Sequence, residues 1–435
     1  MRVSIERPET WQVCMACRNE MAETDPHARC VRCGGLLEIE HRLPRAGREE
    51  LLRRFTERRG APVGGSASGV WRYRDIVLPS ATEVVSHPEG NTPLLQRSAL
   101  DRWTGVDGLL LKHEGHNPTG SFKDRGMTVG VTQARRIGAK AVACASTGNT
   151  AASLAAYASL AGIPALVLVP AGNVALGKLA QSLAYGARTL LVRGDFDDCL
   201  RLVEEASATL GVYLLNSINP FRIEGQKTIV LETLERLGWD PPDWIVLPAG
   251  NLGNTAAFGK ALVEAKAWGL IDRLPRLAAV QAAGAAPFAQ SFAEGFARRH
   301  RVKAETVATA IRIGDPASYD RAVKAIRGTD GLVLAVTDEE ILAAKAAVDA
   351  SGVGCEPASA ASVAGVKRLV AAGAIRPTDR VVAVLTGHIL KDPGVLLHYH
   401  RELEPPPPGA NRPIEIEPTL AEVSRVLERA APSGS

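Results

Sequence analysis

One lysine stands in a setting that suits covalent chemistry. Lys123 lies in the run His116-Asn117-Pro118-Thr119-Gly120-Ser121-Phe122-Lys123-Asp124-Arg125-Gly126, which follows the strand-like LLLKHE and opens a helical pattern. An amine at a helix N-terminus sits in positive potential, which disfavours its charged form and presents the neutral nucleophile that imine formation requires. Most lysines are solvated helix residues, so the reading rests on the partners. Gly250-Asn251-Leu252-Gly253-Asn254-Thr255 comes directly after the apolar WIVLPA and before a helix starting near Ala256. Glycines there let several backbone N–H groups turn toward one anion, and the helix dipole adds to the attraction. Tight strand-to-helix turns use the same residues for steric reasons alone, and the spacing is not that of a nucleotide P-loop. Ser146-Thr147-Gly148-Asn149-Thr150 sits between AVACA and AASLAAYASL, where small polar side chains either cap a helix or hold a carboxylate. Thr386-Gly387 ends the strand-like VVAVL and aims a hydroxyl at the same kind of place.

These residues share one position: the end of an apolar run. LLLKHE, AVACAST, ALVLVP, RTLLVRG, YLLNS, DWIVLPAGN, RLAAVQAAG and RVVAVLTGH alternate with Ala-rich helical stretches, which predicts β-α-β units, a parallel sheet and an α/β fold. In open parallel sheets ligands bind beyond the carboxyl ends of the strands, so the crevice should be lined by these strand-end residues. With 435 residues the chain has room for two or three domains and a site between them. From Lys140 to Lys178 no acidic or basic residue intervenes, but Gly162-Ile163-Pro164 breaks the run. A buried helix followed by a buried strand fits that pattern better than a membrane span, which needs ~20 predominantly apolar residues.

The 51 basic and 47 acidic residues are scattered, for a net charge of +4, which argues against a nucleic-acid or membrane-surface protein. MRVSIERPETWQVC has no apolar core of a secretory signal, which predicts a cytoplasmic protein. Cys14, Cys17, Cys30 and Cys33 form two Cys-x-x-Cys pairs, and four thiolates would hold a structural zinc with no open position. A nucleic-acid role for this ribbon is disfavoured by its mixed charge (Arg18, Glu20, Glu23, Asp25, Arg29, Arg32) and lack of stacking aromatics. Cys144, Cys199 and Cys355 have the apolar or helical surroundings of packing residues. After Glu402 the text EPPPPGANRP reads as an extended connection, followed by an amphipathic helix from Leu420 to Leu427 that would pack on the surface or on a partner subunit.

The chain resembles threonine synthases, within the pyridoxal-phosphate enzymes built on the tryptophan synthase β-subunit fold. NPTGSFKDRGM (Asn117 to Met127), ASTGNT (Ala145 to Thr150), LLNSINPFRIEGQKT (Leu214 to Thr228), PAGNLGN (Pro248 to Asn254), GDPASY (Gly314 to Tyr319), EPASAAS (Glu356 to Ser362) and LTGHILKDP (Leu385 to Pro393) run in that family's order. The resemblance implies a fold type II enzyme, two open twisted sheets flanked by helices with pyridoxal 5'-phosphate between domains, plus a small zinc-ribbon-like lobe. The implied divisions are residues 1–45 for the lobe, 46–114 and 225–400 for the large domain, 115–224 for the smaller domain and 401–435 for the tail. It implies Lys123 as the catalytic Schiff-base lysine, Asn149 on the cofactor ring hydroxyl, Gly250, Asn251, Leu252, Gly253 and Asn254 on the cofactor phosphate, and Thr386 at the pyridine nitrogen. Ser146, Thr147 and Thr150 match substrate positions; Asn216, Ser217 and Arg222 match those near the substrate phosphate. Arg222 has the planar fork that suits a phosphate dianion, where an ordinary arginine would make a surface ion pair. Ile389 stands where the family resemblance has glycine, which bears on the shape near Thr386 and on substrate identity. The implied reaction is O-phospho-L-homoserine plus water to L-threonine and phosphate, by γ-elimination and β-addition of water, in a homodimer. The alternatives are a threonine or serine dehydratase and another replacement lyase acting on phosphoserine. The NSINPFRIEGQKT segment argues against the first, since a dehydratase has no substrate phosphate to hold.

Overall fold

The computed structural model describes residues 9–61, 67–172, 176–407 and 409–430. Three sheets organise them. The cysteine-bearing lobe is a three-stranded antiparallel sheet, β1 (Thr10–Cys14) flanked by β2 (Glu20–Ala22) and β3 (Leu37–His41). Further along come β4 (Leu94–Gln96), β5 (Leu110–His113), β6 (Ala141–Ala145), β7 (Ala165–Pro170), β8 (Arg188–Val192), β9 (Val212–Leu214), β10 (Trp244–Pro248), β11 (Arg276–Ala282), β12 (Leu332–Val336) and β13 (Val381–Leu385). The six-stranded sheet has the order β12-β11-β10-β13-β5-β4, parallel except for β4, and the four-stranded sheet has the parallel order β8-β7-β6-β9. All four strands of the smaller sheet come from between β5 and β10, so the chain leaves the large sheet once and returns.

The eight expected strands all form, as β5 to β11 and β13. Strands β6, β10 and β13 are buried at every position, which is why their sequences read as unbroken apolar runs instead of alternating ones. Apolar clusters on both faces of the large sheet, and on both faces of the small one, cover these strands. Helix Asn149–Ala161 is the Ala-rich stretch of the charge-free run and leads into β7 through Gly162 at φ +66°. Among the described residues no helix is long and apolar enough to cross a membrane.

Everything up to Asp392 forms one compact unit; Pro393 onward forms a second. In that second unit the expected amphipathic segment is helix Leu420–Ala430, and Leu420, Val423 and Leu427 are exposed.

The lobe gathers its cysteines. Cys14 and Cys33 have Sγ atoms 3.4 Å apart, Cys17 and Cys30 3.7 Å, and Cys33 and Cys17 3.4 Å. A tetrahedral zinc with ~2.3 Å bonds to sulfur sets S···S edges of ~3.8 Å, close to this spacing. The backbone N–H of Arg32 also points at Cys30 Sγ at 3.4 Å, as it would toward a thiolate. The donor set therefore fits zinc. Cys144, Cys199 and Cys355 are buried thiols as expected.

Candidate active site

The turns that follow the carboxyl ends of β5, β6, β9, β10 and β13 converge on one cavity of about 990 Å³. Every residue singled out from the sequence as cofactor- or substrate-binding lines it: Lys123, Ser146, Thr147, Asn149, Thr150, Asn216, Ser217, Arg222, Gly250 to Asn254 and Thr386.

Lys123 is the first residue of helix Lys123–Arg136. Its loop is laced to the strand end beside it: Phe122 N–H donates to Thr386 O at 3.0 Å and His388 N–H to Gly120 O at 2.9 Å. Behind it, Arg125 is wholly buried and donates to Glu114 at 2.6 and 2.9 Å and to Glu232 at 3.1 Å, while Lys112 pairs with Glu232 from β5. This packed ion network fixes the helix start to the large sheet, because moving one member would leave a buried charge uncompensated. Burial, with the nearby Arg222 charge adding to it and Glu356 opposing, brings the Lys123 amine down to about 7. A large fraction is then the free amine at neutral pH, the form the sequence argument required.

The turn after β10 carries the marks of an anion cradle. Leu252 adopts φ +64°, a left-handed conformation rare for a branched side chain, and helix Gly253–Ala267 starts there without a side-chain cap. Both polar atoms of the Asn254 side chain and the Thr255 hydroxyl are buried with no hydrogen-bond partner among the described residues. Gly250 is pressed against the turn at Ala310 and Ile311, where a Cβ would sit 3.0 Å from Ile311 Cα. Orphaned donors around a 15-residue helix N-terminus fit the phosphate of pyridoxal phosphate, held by dipoles instead of a full charge.

Helix Asn149–Ala161 likewise begins at Gly148 without a side-chain cap; Ser146 Oγ accepts from Gly148 N–H at 3.2 Å, while Thr147 and Thr150 are not consumed in capping. Asn149 Nδ2 donates to Glu356 Oε2 at 2.9 Å, and Thr386 Oγ1 donates to Glu356 Oε1 at 3.1 Å. Glu356 therefore bridges the two side chains assigned to opposite sides of the cofactor ring, and burial raises its carboxyl above the ordinary range. No role was assigned to it from the sequence. Lys391, which also lines the cavity and bonds Gln181, is a further residue that strand-end reasoning left out. Ile389 is turned away from the cavity lining and onto Gly354, where a Cβ would lie 3.1 Å from Ile389 Cδ1. The extra bulk is accommodated there, and Thr386 keeps its contacts with Ser359 and Glu356.

Arg222 is not a surface ion pair. It is 1% exposed on helix Pro220–Gln226, has no carboxylate partner among the described residues, and bonds only Leu215 O at 2.9 Å while its Nε is unpartnered. Burial pushes its guanidinium down to about 10. A buried cation without a counter-ion marks a place for an anionic ligand. Asn216, by contrast, clasps the backbone of Ala145, accepting its N–H at 3.0 Å and donating to its carbonyl at 3.1 Å. Its amide ties β9 to β6 and orients the Ser146 turn, leaving Ser217 and Arg222 as the free polar groups of that wall.

The family described as "Pyridoxal-phosphate dependent enzyme" matches residues 85–387. The chain is 47% identical to a threonine synthase of Methanosarcina acetivorans over 89% of this chain and 94% of that protein. It is 43% identical to one of Methanocaldococcus jannaschii over 96% and 99% of the two chains. Its fold is similar to that of Escherichia coli threonine synthase, with a TM-score of 0.68, 18% identity and coverage of 97% of this chain and 100% of that one. Maize serine racemase superimposes with a TM-score of 0.62 at 24% identity, covering 76% and 95%. A lysine at a helix start, an anion cradle after β10 and these relatives over nearly the whole length agree: the chain belongs to the threonine synthase family of pyridoxal-phosphate-dependent enzymes.

Proposed function

We propose that this enzyme converts O-phospho-L-homoserine and water to L-threonine and phosphate. The observation that carries the substrate assignment is Arg222, a buried guanidinium without a counter-ion in the cavity that also holds a neutral lysine and a separate anion cradle. A dehydratase acting on a plain hydroxy-amino acid would have no use for that cation.

On this reading Gly250 to Asn254 and Thr255 hold the cofactor phosphate, Asn149 the ring hydroxyl, Thr386 the ring nitrogen and Lys123 the aldehyde carbon. When bound, pyridoxal phosphate supplies the electron sink that acidifies the carbons next to the substrate amine. Lys123, neutral near pH 7, is the base that takes the proton from the α carbon and returns protons along the chain to the γ position. Arg222 and Ser217 bind the substrate phosphate and hold the γ carbon–oxygen bond where it can break. Ser146, Thr147 and Thr150, around uncapped helix N–H groups, receive the carboxylate. A neutral Thr386 hydroxyl at the ring nitrogen limits charge there, so proton movement by Lys123 carries more of the work.

The lobe would hold a structural zinc on Cys14, Cys17, Cys30 and Cys33. All seven cysteines are free thiols, which supports a reducing, cytoplasmic setting. The family resemblance supports a homodimer that acts on a small molecule. Pure protein incubated in turn with phosphohomoserine, phosphoserine, threonine and serine, with the products identified, tests the assignment. Threonine and phosphate from the first substrate support it; a 2-oxo acid from threonine as the main product refutes it.

A further inference from the structure

The cysteine lobe reaches into the wall that carries Arg222. Arg321, 3% exposed on helix Tyr319–Gly328, donates through Nη2 to Leu37 O in β3 and, at 3.1 Å, to Ile218 O, next to Ser217. His41, the last residue of β3, has a buried ring whose Nε2 lies 2.8 Å from Glu224 Oε2, two residues beyond Arg222. Thr10 in β1 holds the other ring nitrogen at 3.0 Å, and Lys227 and Lys260 bracket Glu224. Between these two points Leu36 packs with Leu214, Ile218 and Ala317. Arg29, from the same lobe, lines the cavity.

The Arg321 contact falls on Ile218, within the segment from Ser217 to Arg222, and the His41 contact on Glu224, just beyond it. The helix that the segment starts, Pro220–Gln226, runs through Lys227 into helix Thr228–Arg236. Inside the cavity Arg222 is tied by a single carbonyl, and its helix is held from behind by helices Lys123–Arg136 and Gly253–Ala267 together with the lobe strand β3. Arg321 is itself a buried cation with Nε and Nη1 unpartnered among the described residues, a costly arrangement unless it fixes its neighbours.

We propose that the cysteine lobe is a working part of the substrate site, with Arg321 and His41 as positioning residues that hold the Ser217–Arg222 wall where it receives the substrate phosphate. The inference rests on the assignment of that wall to the substrate phosphate. It connects the lobe to substrate affinity; Ala317 and Ser318, at the start of Arg321's helix, also donate to Asn251 of the cofactor turn, so cofactor absorbance is read beside phosphate binding.

The test uses holoenzyme carrying Arg321→Met or His41→Ala, with Arg321→Lys and His41→Gln as conservative partners, assayed well below each melting temperature. Inorganic phosphate is the probe of the wall, measured as a competitive inhibitor beside KM and kcat for phosphohomoserine. The expected result is a rise of about tenfold in the phosphate inhibition constant and in KM, with kcat changed by less than about twofold and cofactor absorbance intact. The conservative variants should recover part of the loss, and they carry the test if a truncated variant does not fold. Variants that lose thermal stability while binding phosphate like the parent would overturn the inference. Arg222→Ala separates the two levels: if it too leaves phosphate inhibition unchanged, the assignment of the wall is wrong. If only Arg222→Ala weakens phosphate, the positioning role of the lobe fails by itself.

Discussion

Replacing Arg222 by alanine removes a buried cation that lines the cavity without a carboxylate partner among the described residues. Nη1 is engaged by Leu215 O, which leaves Nε and Nη2 as two donors for a phosphate. A hydrogen bond to a charged group contributes about 1.5–3 kcal/mol, and the loss of two is tempered by water entering the truncated site. A net loss of about 2–4 kcal/mol corresponds to a fall of roughly 30- to 1,000-fold in kcat/KM for phosphohomoserine. Arg222→Lys should recover only part of this, because an ammonium cannot present two parallel donors to one phosphate face. Cofactor absorbance should be unchanged in both variants, since the cradle at Gly250–Asn254 follows β10, and Arg222 follows β9. Steady-state phosphate release, read beside the visible spectrum, measures both quantities. An Arg222→Ala enzyme that turns over phosphohomoserine like the parent would sink the reasoning, and so would one that loses cofactor and substrate together.

Three more outcomes follow from the same geometry. Lys123, brought down to about 7 from 10.5, remains neutral in the folded cofactor-free protein between those values while the unfolded chain is protonated, so its contribution to stability rises with pH across that window. Capture of added pyridoxal phosphate should accelerate as pH rises through about 7, and Lys123→Ala should abolish cofactor fixation by borohydride; fixation at another lysine would refute the assignment. Glu356 has the opposite sign: a buried carboxyl raised above 4.5 binds a proton more tightly in the folded state, and stability is lost as pH climbs through its folded value. The gain in melting temperature of cofactor-free protein from Glu356→Gln, read by scanning calorimetry, should therefore grow as pH rises above 4.5. Metal analysis of protein prepared without chelators should find about one zinc per chain, and Cys14→Ser should lower the melting temperature; a metal-free but fully stable lobe would refute the zinc assignment.

The site was legible in the sequence where its residues sit together at strand ends. Ser146 to Thr150 and Gly250 to Thr255 each lie on one turn, and a turn between a buried strand and a helix has one geometry to offer. Strands β4 and β12 escaped because they are edges: β4 has three residues and no fully buried one, and β12 is buried at only two positions. Glu356 escaped for a different reason. It is 207 residues from Asn149, and only the packing of helix Pro357–Ala371 against the large sheet brings its carboxyl between Asn149 and Thr386. The same holds for Asn216, whose type suggested a ligand contact and whose amide is taken by Ala145, 71 residues away. Paired cysteines announce a lobe by spacing alone, but nothing in the types of His41 or Arg321 says that they end in a buried seam.

On the proposed reading the cavity holds two anion sites of different construction, and the difference matches what each must do. The cradle after β10 has no lysine or arginine of its own; it relies on backbone N–H groups, Asn254 and Thr255, all fixed by the strained turn at Leu252. Such a site suits a phosphate that enters once and stays, since preorganised dipoles need no rearrangement and their strength does not vary with the protonation of a side chain. The wall after β9 instead carries a full charge on a short helix and no competing carboxylate. Its desolvated guanidinium, brought down to about 10 by burial, attracts a dianion strongly. That phosphate must arrive as an ester and leave as a product in every cycle, so its site has to relax between the two. Helix Pro220–Gln226 packs against helix Lys123–Arg136, with Gly225 pressed on Arg125 O, so that relaxation falls to the Arg222 side chain while the buried pairs of Arg125 with Glu114 and Glu232 hold Lys123 still.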